Sequence, residues 1–166
     1  MIAPYMGWNH GGDFKGPWDS VANKHVRSGW AAGFLGLRSS RSPFNTIVYG
    51  VAGPDTAFEP SDYPYVSKHT YDDLPANLVL VMEVADSKTH WMQPGDYDVT
   101  KLLAATGRLG DTVKGLMNDR IHLLFADGEV WALSPDTPID AVKPFFTITG
   151  AKAASREESL SKYRVD

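Results

Sequence analysis

The sequence has no cysteine, which removes disulfides, thiolate nucleophiles and zinc–thiolate sites together. No stretch approaches the ~20 consecutive apolar residues of a membrane-spanning helix, so no span is expected. The opening segment, M-I-A-P-Y-M-G-W-N-H-G-G-D, lacks a basic region followed by an apolar core. No export signal is therefore read there, and on this evidence the chain stays in the cytoplasm where it is made. Positive charge is also short. The net charge is −4 and no Lys/Arg cluster interrupts it, which excludes nucleic acid as the main partner.

The sequence signatures of common active sites are missing too. There is no G-x-S-x-G elbow, no serine–lysine arrangement in a catalytic setting, no phosphate loop and no dinucleotide glycine fingerprint. Of the five histidines, His10, His25, His69, His90 and His122, none forms the i, i+4 pair around a Glu that a zinc-protease helix needs. His10 and Asp13 could meet on a solvated loop. Asp96 and Asp98 could offer oxygen to a hard cation, but the rest of a calcium loop is absent. No catalytic residue, cofactor or resident metal is expected.

What remains is the composition of an ordinary globular chain. Its 166 residues suit one domain, spanning 1–166, and its apolar fraction of 43% is enough for a single core. Fifteen glycines and eleven prolines imply many turns. Residues 45–52 read as a strand, and 77–84, the most hydrophobic segment, as a central strand buried on both faces. The runs 121–125 and 130–133 flank Asp127-Gly128, a pair that tolerates the positive φ of a two-residue type I′ hairpin turn. His122 in that hairpin is expected to meet a cross-strand partner or solvent.

Helices are expected to be short. Asp19 or Ser20 would cap one running to Arg27 and stopped by Gly29. Another covers 99–106 and ends at Gly107. Thr137-Pro138 starts one that Pro144 limits, and Ser155–Glu158 forms the capping box of a last, exposed helix with a loose tail. Five tryptophans raise a binding possibility, because flat aromatic faces pack on sugar rings. Trp18 and Trp91 beside turns, with Asp96, are the candidate ligand-binding residues. Burial as loop anchors is the competing explanation.

Five segments occur in a recognisable order: P-W-D-S-V-A-N at 17–23, V-A-G-P-D-T-A-F at 51–58, L-V-L-V-M-E-V-A-D-S at 78–87, W-M-Q-P-G-D at 91–96 and L-L-F-A-D-G-E-V at 123–130. Together they resemble the DUF1559 family, also called the solute-binding protein family 10 domain, over a core of about residues 14–150. The resemblance implies a pilin- or pseudopilin-like globular domain with an antiparallel sheet, placed at the cell envelope in a type II secretion or type IV pilus-like system. The family's prepilin helix is not among these residues. Met117 stands where many members carry a histidine, and Leu37-Arg38-Ser39 replaces a common Cys-Pro-Ser.

The expected fold is thus α+β, an antiparallel sheet of 45–52, 77–84, 121–126 and 129–133 with short flanking helices. The expected function is noncatalytic, through contacts with protein partners of an envelope assembly. A small-ligand, carbohydrate-type binder is the alternative. Asp127 and Gly128 are assigned to turn geometry, and Asp19 to a helix cap.

Overall fold

The computed structural model describes residues 16–28, 45–59, 70–85, 87–93, 96–116 and 119–165. The expectations placed on His10, Asp13, Gly29, Leu37–Ser39, His69 and Met117 lie outside these residues.

Among the described residues, five strands form one sheet: β1 (Val48–Ala52), β2 (Val79–Glu83), β3 (Tyr97–Asp98), β4 (Ile121–Phe125) and β5 (Val130–Leu133). Their spatial order is β3-β1-β2-β4-β5, so β2 is central as its hydrophobicity predicts. The pairs β1–β2, β2–β4 and β4–β5 are antiparallel, while β3 joins β1 in parallel. The fold is therefore α+β with a mostly antiparallel mixed sheet. The parallel edge was not expected from the sequence, since two residues carry no alternation to read.

Short helices supply the second layer: α1 (Lys24–Arg27), α2 (Val99–Ala104), α3 (Leu109–Thr112), α4 (Ile139–Val142), α5 (Ile148–Ala153) and α6 (Arg156–Leu160). A helix of four to six residues is unstable alone, so these persist through burial of one or two apolar side chains each. Leu102, Leu109, Ile139 and Leu160 have no exposed surface and share one core with Leu123, Phe125 and Trp131 of the sheet. A smaller cluster, including Leu78, Ala126 and Ile148, packs α5 at the hairpin end.

Several local expectations need correction. The first helix begins at Lys24 after Asn23, and Asp19 caps nothing with its side chain; its backbone carbonyl accepts from Arg27 Nη1 at 3.0 Å. The helix after Thr137 starts one residue late, at Ile139. The final helix is capped by Ser155 as expected, yet it is not exposed: Arg156 and Leu160 are buried. The tail is not loose either, because Arg164 bridges Leu133 and Val165 N–H donates to Ala132.

The hairpin is present but its turn differs. Gly128 has φ +87° while Asp127 is absent from the positive-φ residues, so a type I′ turn is ruled out. Gly128 N–H donates to Phe125 and Phe125 N–H to Glu129, the pattern of a turn over Ala126-Asp127 followed by a glycine bulge. Only Gly128 needs the left-handed conformation.

Candidate functional site

The helical residues of the main core meet one face of the sheet, and Val48 and Val130 on the other stay exposed. Period two sends Met82, Leu123 and Trp131 inward, in register across three strands. Outward go Val81, Leu124 and Val130 in one row, with Val81 opposite Gly50 of β1. The adjacent row holds Val48 opposite Glu83, and His122 opposite Ala132. Val130 keeps 57% of its surface exposed and Val48 37%. β2 is therefore only partly buried on its outer face, where Val81 is half-buried and Glu83 is covered. A bulge between Val79 and Val81 shifts its register, and both Leu80 and Val81 end half-buried.

A shallow groove of about 110 Å³ lies on this face, lined by Val48, Val81, Leu124 and Val130 around Glu83 and His122. These two are its polar groups. Glu83 Oε1 accepts from Leu116 N–H at 2.6 Å, and Oε2 accepts from His122 Nδ1 at 2.7 Å and from its backbone N–H at 3.4 Å. Burying a carboxylate without such donors costs several kcal/mol, which explains why three N–H groups converge on it. The Glu83 side chain is 9% exposed and that of His122 41%.

This geometry fixes the imidazole. A carboxylate only accepts, so the proton between the two belongs to Nδ1, and Nε2 is the ring nitrogen outside the pair. The same arrangement orients histidine bases in enzymes, but a base needs a nucleophile or a water to act on. Among the described residues no hydroxyl is hydrogen-bonded to His122. None of their acidic and histidine side chains forms a group of three suited to a metal ion. The pair is an oriented imidazole–carboxylate unit, and the residues around it are apolar walls.

The candidate ligand residues Trp18 and Trp91 are brought together by a third ring. Trp18 stacks on His90 with centroids 5.1 Å apart, and His90 stacks on Trp91 at 6.1 Å. Burial holds the His90 imidazole below its ordinary pKa, and the Arg27 charge lowers it further despite an opposing backbone hydrogen bond. A second cavity of about 280 Å³ adjoins the stack, lined by Lys24, Arg27, Ser28 and His90; neither tryptophan lines it. Asp96 does not line it either. It sits before β3, its Oδ1 2.9 Å from where a Cβ on Gly50 would stand, beside Phe58; burial raises its pKa.

Asp127 and Gly128 serve the hairpin. Asp127 Oδ1 accepts from Glu129 N–H at 3.0 Å, closing the turn, and both oxygens take Arg156. Glu83, His90 and Arg156 are the residues that sequence reasoning passed over. Glu83 carried one usable signal, a lone acid inside the most hydrophobic segment.

Family models, curated proteins and solved structures give no match to this chain.

Proposed function

We propose that this chain is a noncatalytic, pseudopilin-like domain that works by protein contact in a cell-envelope assembly, using the open face of its sheet. The observation that carries the reading is the one-sided main core: among the described residues, α2, α3, α4 and α6 bury side chains against the Met82–Leu123–Trp131 face, while Val48, Val81, Leu124 and Val130 line a groove on the other. Exposed apolar surface of this kind, arranged as a row and centred on one polar pair, suits a protein interface. The order of the five sequence segments supplies the envelope context.

The test is a charge placed on the face. Val130→Glu and Val48→Glu, made in the producing cell, should release the protein from the envelope assembly while leaving its melting temperature near that of the parent. Retained association with both variants folded would refute the reading.

A second reading has its own support. The Trp18–His90–Trp91 stack, beside a cavity rimmed by Lys24, Arg27 and Ser28, suits a small polar ligand such as a carbohydrate. A thermal-shift screen decides it, because ligand at a hundred times its Kd stabilises by ~2.7 kcal/mol. No shift with any sugar would dismiss it.

A further inference from the structure

We infer that the cavity beside α1 binds the carboxylate or phosphate group of a small ligand, held between the Lys24 ammonium and the Arg27 guanidinium. This rests on the second reading, that the cavity is a small-ligand site. It adds the charge of what enters.

The cavity, about 280 Å³, is lined by Lys24, Arg27, Ser28 and His90, two cations and no acid. That is a local reversal in a chain whose net charge is −4. Lys24 and Arg27 stand three residues apart on α1, the spacing that puts side chains on one helix face. Among the described residues neither has a carboxylate partner. Arg27 Nη1 donates at 3.0 Å to the backbone carbonyl of Asp19, and no acid meets Lys24. Nε and Nη2 of Arg27, which share one edge of the planar fork, are left for an acceptor from outside.

His90 fixes another wall. Its Nδ1 accepts from Met92 N–H at 3.2 Å, and a backbone amide can only donate, so the lone pair is on Nδ1. The ring also bonds the Arg27 backbone, and Trp18 and Trp91 stack with it. It is therefore a neutral wall held from several sides, set in place before a ligand arrives. Ser28 Oγ spends its one proton on the His25 carbonyl at 3.1 Å. The two cations are left as the donors.

Those donors decide the occupant. A cation would be repelled by both. A neutral ligand covering Arg27 would strip water from Nε and Nη2 without matching a charge, at a cost. An oxyanion gives the guanidinium edge two acceptors at once and gives Lys24 a counter-charge.

Sodium phosphate and sodium acetate are the probes, with D-glucose as the uncharged control. The full chain, labelled with ¹⁵N, is titrated with each at an ionic strength held constant with sodium chloride. One anion or both should shift the Arg27 Nε–H and Ser28 amide resonances saturably with a common midpoint; which one does so separates phosphate from carboxylate. The amide of Lys152, exposed on α5, should not follow. Lys24→Gln and Arg27→Gln should each weaken the binding about tenfold, the worth of one charge-assisted hydrogen bond. Lys24 is exposed, so its variant keeps the fold and suffices alone if Arg27→Gln does not. No saturable shift with either anion would overturn the inference. So would the same midpoint at Lys152, or binding that ignores Lys24→Gln. A neutral sugar that binds at these residues while neither anion does would remove the charge preference and leave the small-ligand reading standing; no shift with any of them would sink both.

Discussion

Arg156 closes a two-pronged ion pair on Asp127, 29 residues away in the chain, with Nη1 at 3.2 Å from Oδ1 and Nη2 at 2.6 Å from Oδ2. Its guanidinium lies 4.4 Å from the centre of the Phe125 ring and 4.7 Å from that of Trp131. Nη2 also meets Glu129, which in turn accepts from Trp131 Nε1. The contact ties α6 to the turn of the β4–β5 hairpin, one end of the sheet whose outer face carries the proposed function.

Because the Arg156 side chain is only 8% exposed, its removal should be costly. Arg156→Ala strips both prongs and uncovers two rings. Asp127 retains some solvent, so the loss should be about 2–3 kcal/mol, near the low end for a broken buried pair. Arg156→Lys should recover little, since an ammonium has neither the planar fork nor the stacking surface. Urea denaturation reads both variants; a lysine variant as stable as the parent would deny the fork its role.

The same pair gives a pH dependence. Hydrogen bonding to Arg156, followed by the Glu129 amide and the guanidinium charge, holds the Asp127 carboxyl below its usual range against the opposing effect of burial. The unfolded chain therefore takes up this proton first. Stability from Asp127 is full above about pH 4 and falls as pH drops toward the lowered folded value. His90 acts in the same direction at higher pH. Its folded pKa is lowered, chiefly by burial, so stability should decline as pH falls below about 6.5, where the unfolded imidazole charges. Melting temperature against pH should thus fall in two stages. Asp127→Asn should flatten the lower stage and His90→Gln the upper; a profile unchanged by either variant would contradict the assignment.

The two faces of the β4–β5 hairpin should answer differently to truncation. Leu123 has no exposed surface and sits in the core, so Leu123→Ala should cost about 2–5 kcal/mol. Val130→Ala, on the open face, should stay within ~0.5 kcal/mol. Equal losses would mean that the outer face is not free in the isolated protein.

Gly128 isolates a backbone effect. Its φ of +87° disfavours any side chain, yet a Cβ there would meet nothing within 4 Å. Gly128→Ala should therefore destabilise by about 1–2 kcal/mol through conformation alone, and Gly128→Asn by less. Matching losses for both variants would point to a steric cause that the turn does not contain.

The parts of the fold legible from sequence were those with a long enough period. β4 and β5 alternate over several residues beside Asp-Gly, and β2 stands out by hydrophobicity. The two-residue β3 has no period to read. Helix α3 contains Gly110 and helix α5 contains Gly150, so neither carries a strong helical signature, and tertiary burial of Leu109, Ile148 and Ala151 holds them instead. The Glu83–His122 pair was hidden for another reason. Which face Glu83 takes depends on the bulge between Val79 and Val81, and its neighbour depends on the pairing of strands 39 residues apart. Alternation along one strand contains neither fact. Trp18 and Trp91 were named from composition, but the ring joining them, His90, could not be recognised before the chain brought residue 18 to residue 90.

The most direct measurement is site-specific photo-crosslinking in the producing cell, with the reactive group placed at Val130 on the outer sheet face or at the exposed Lys152 of α5. A crosslink from Val130 to a protein of an envelope secretion or pilus-like assembly, with none from Lys152, is the result the account predicts. Equal capture from both positions, or a folded protein that crosslinks to no such subunit from Val130, would contradict it.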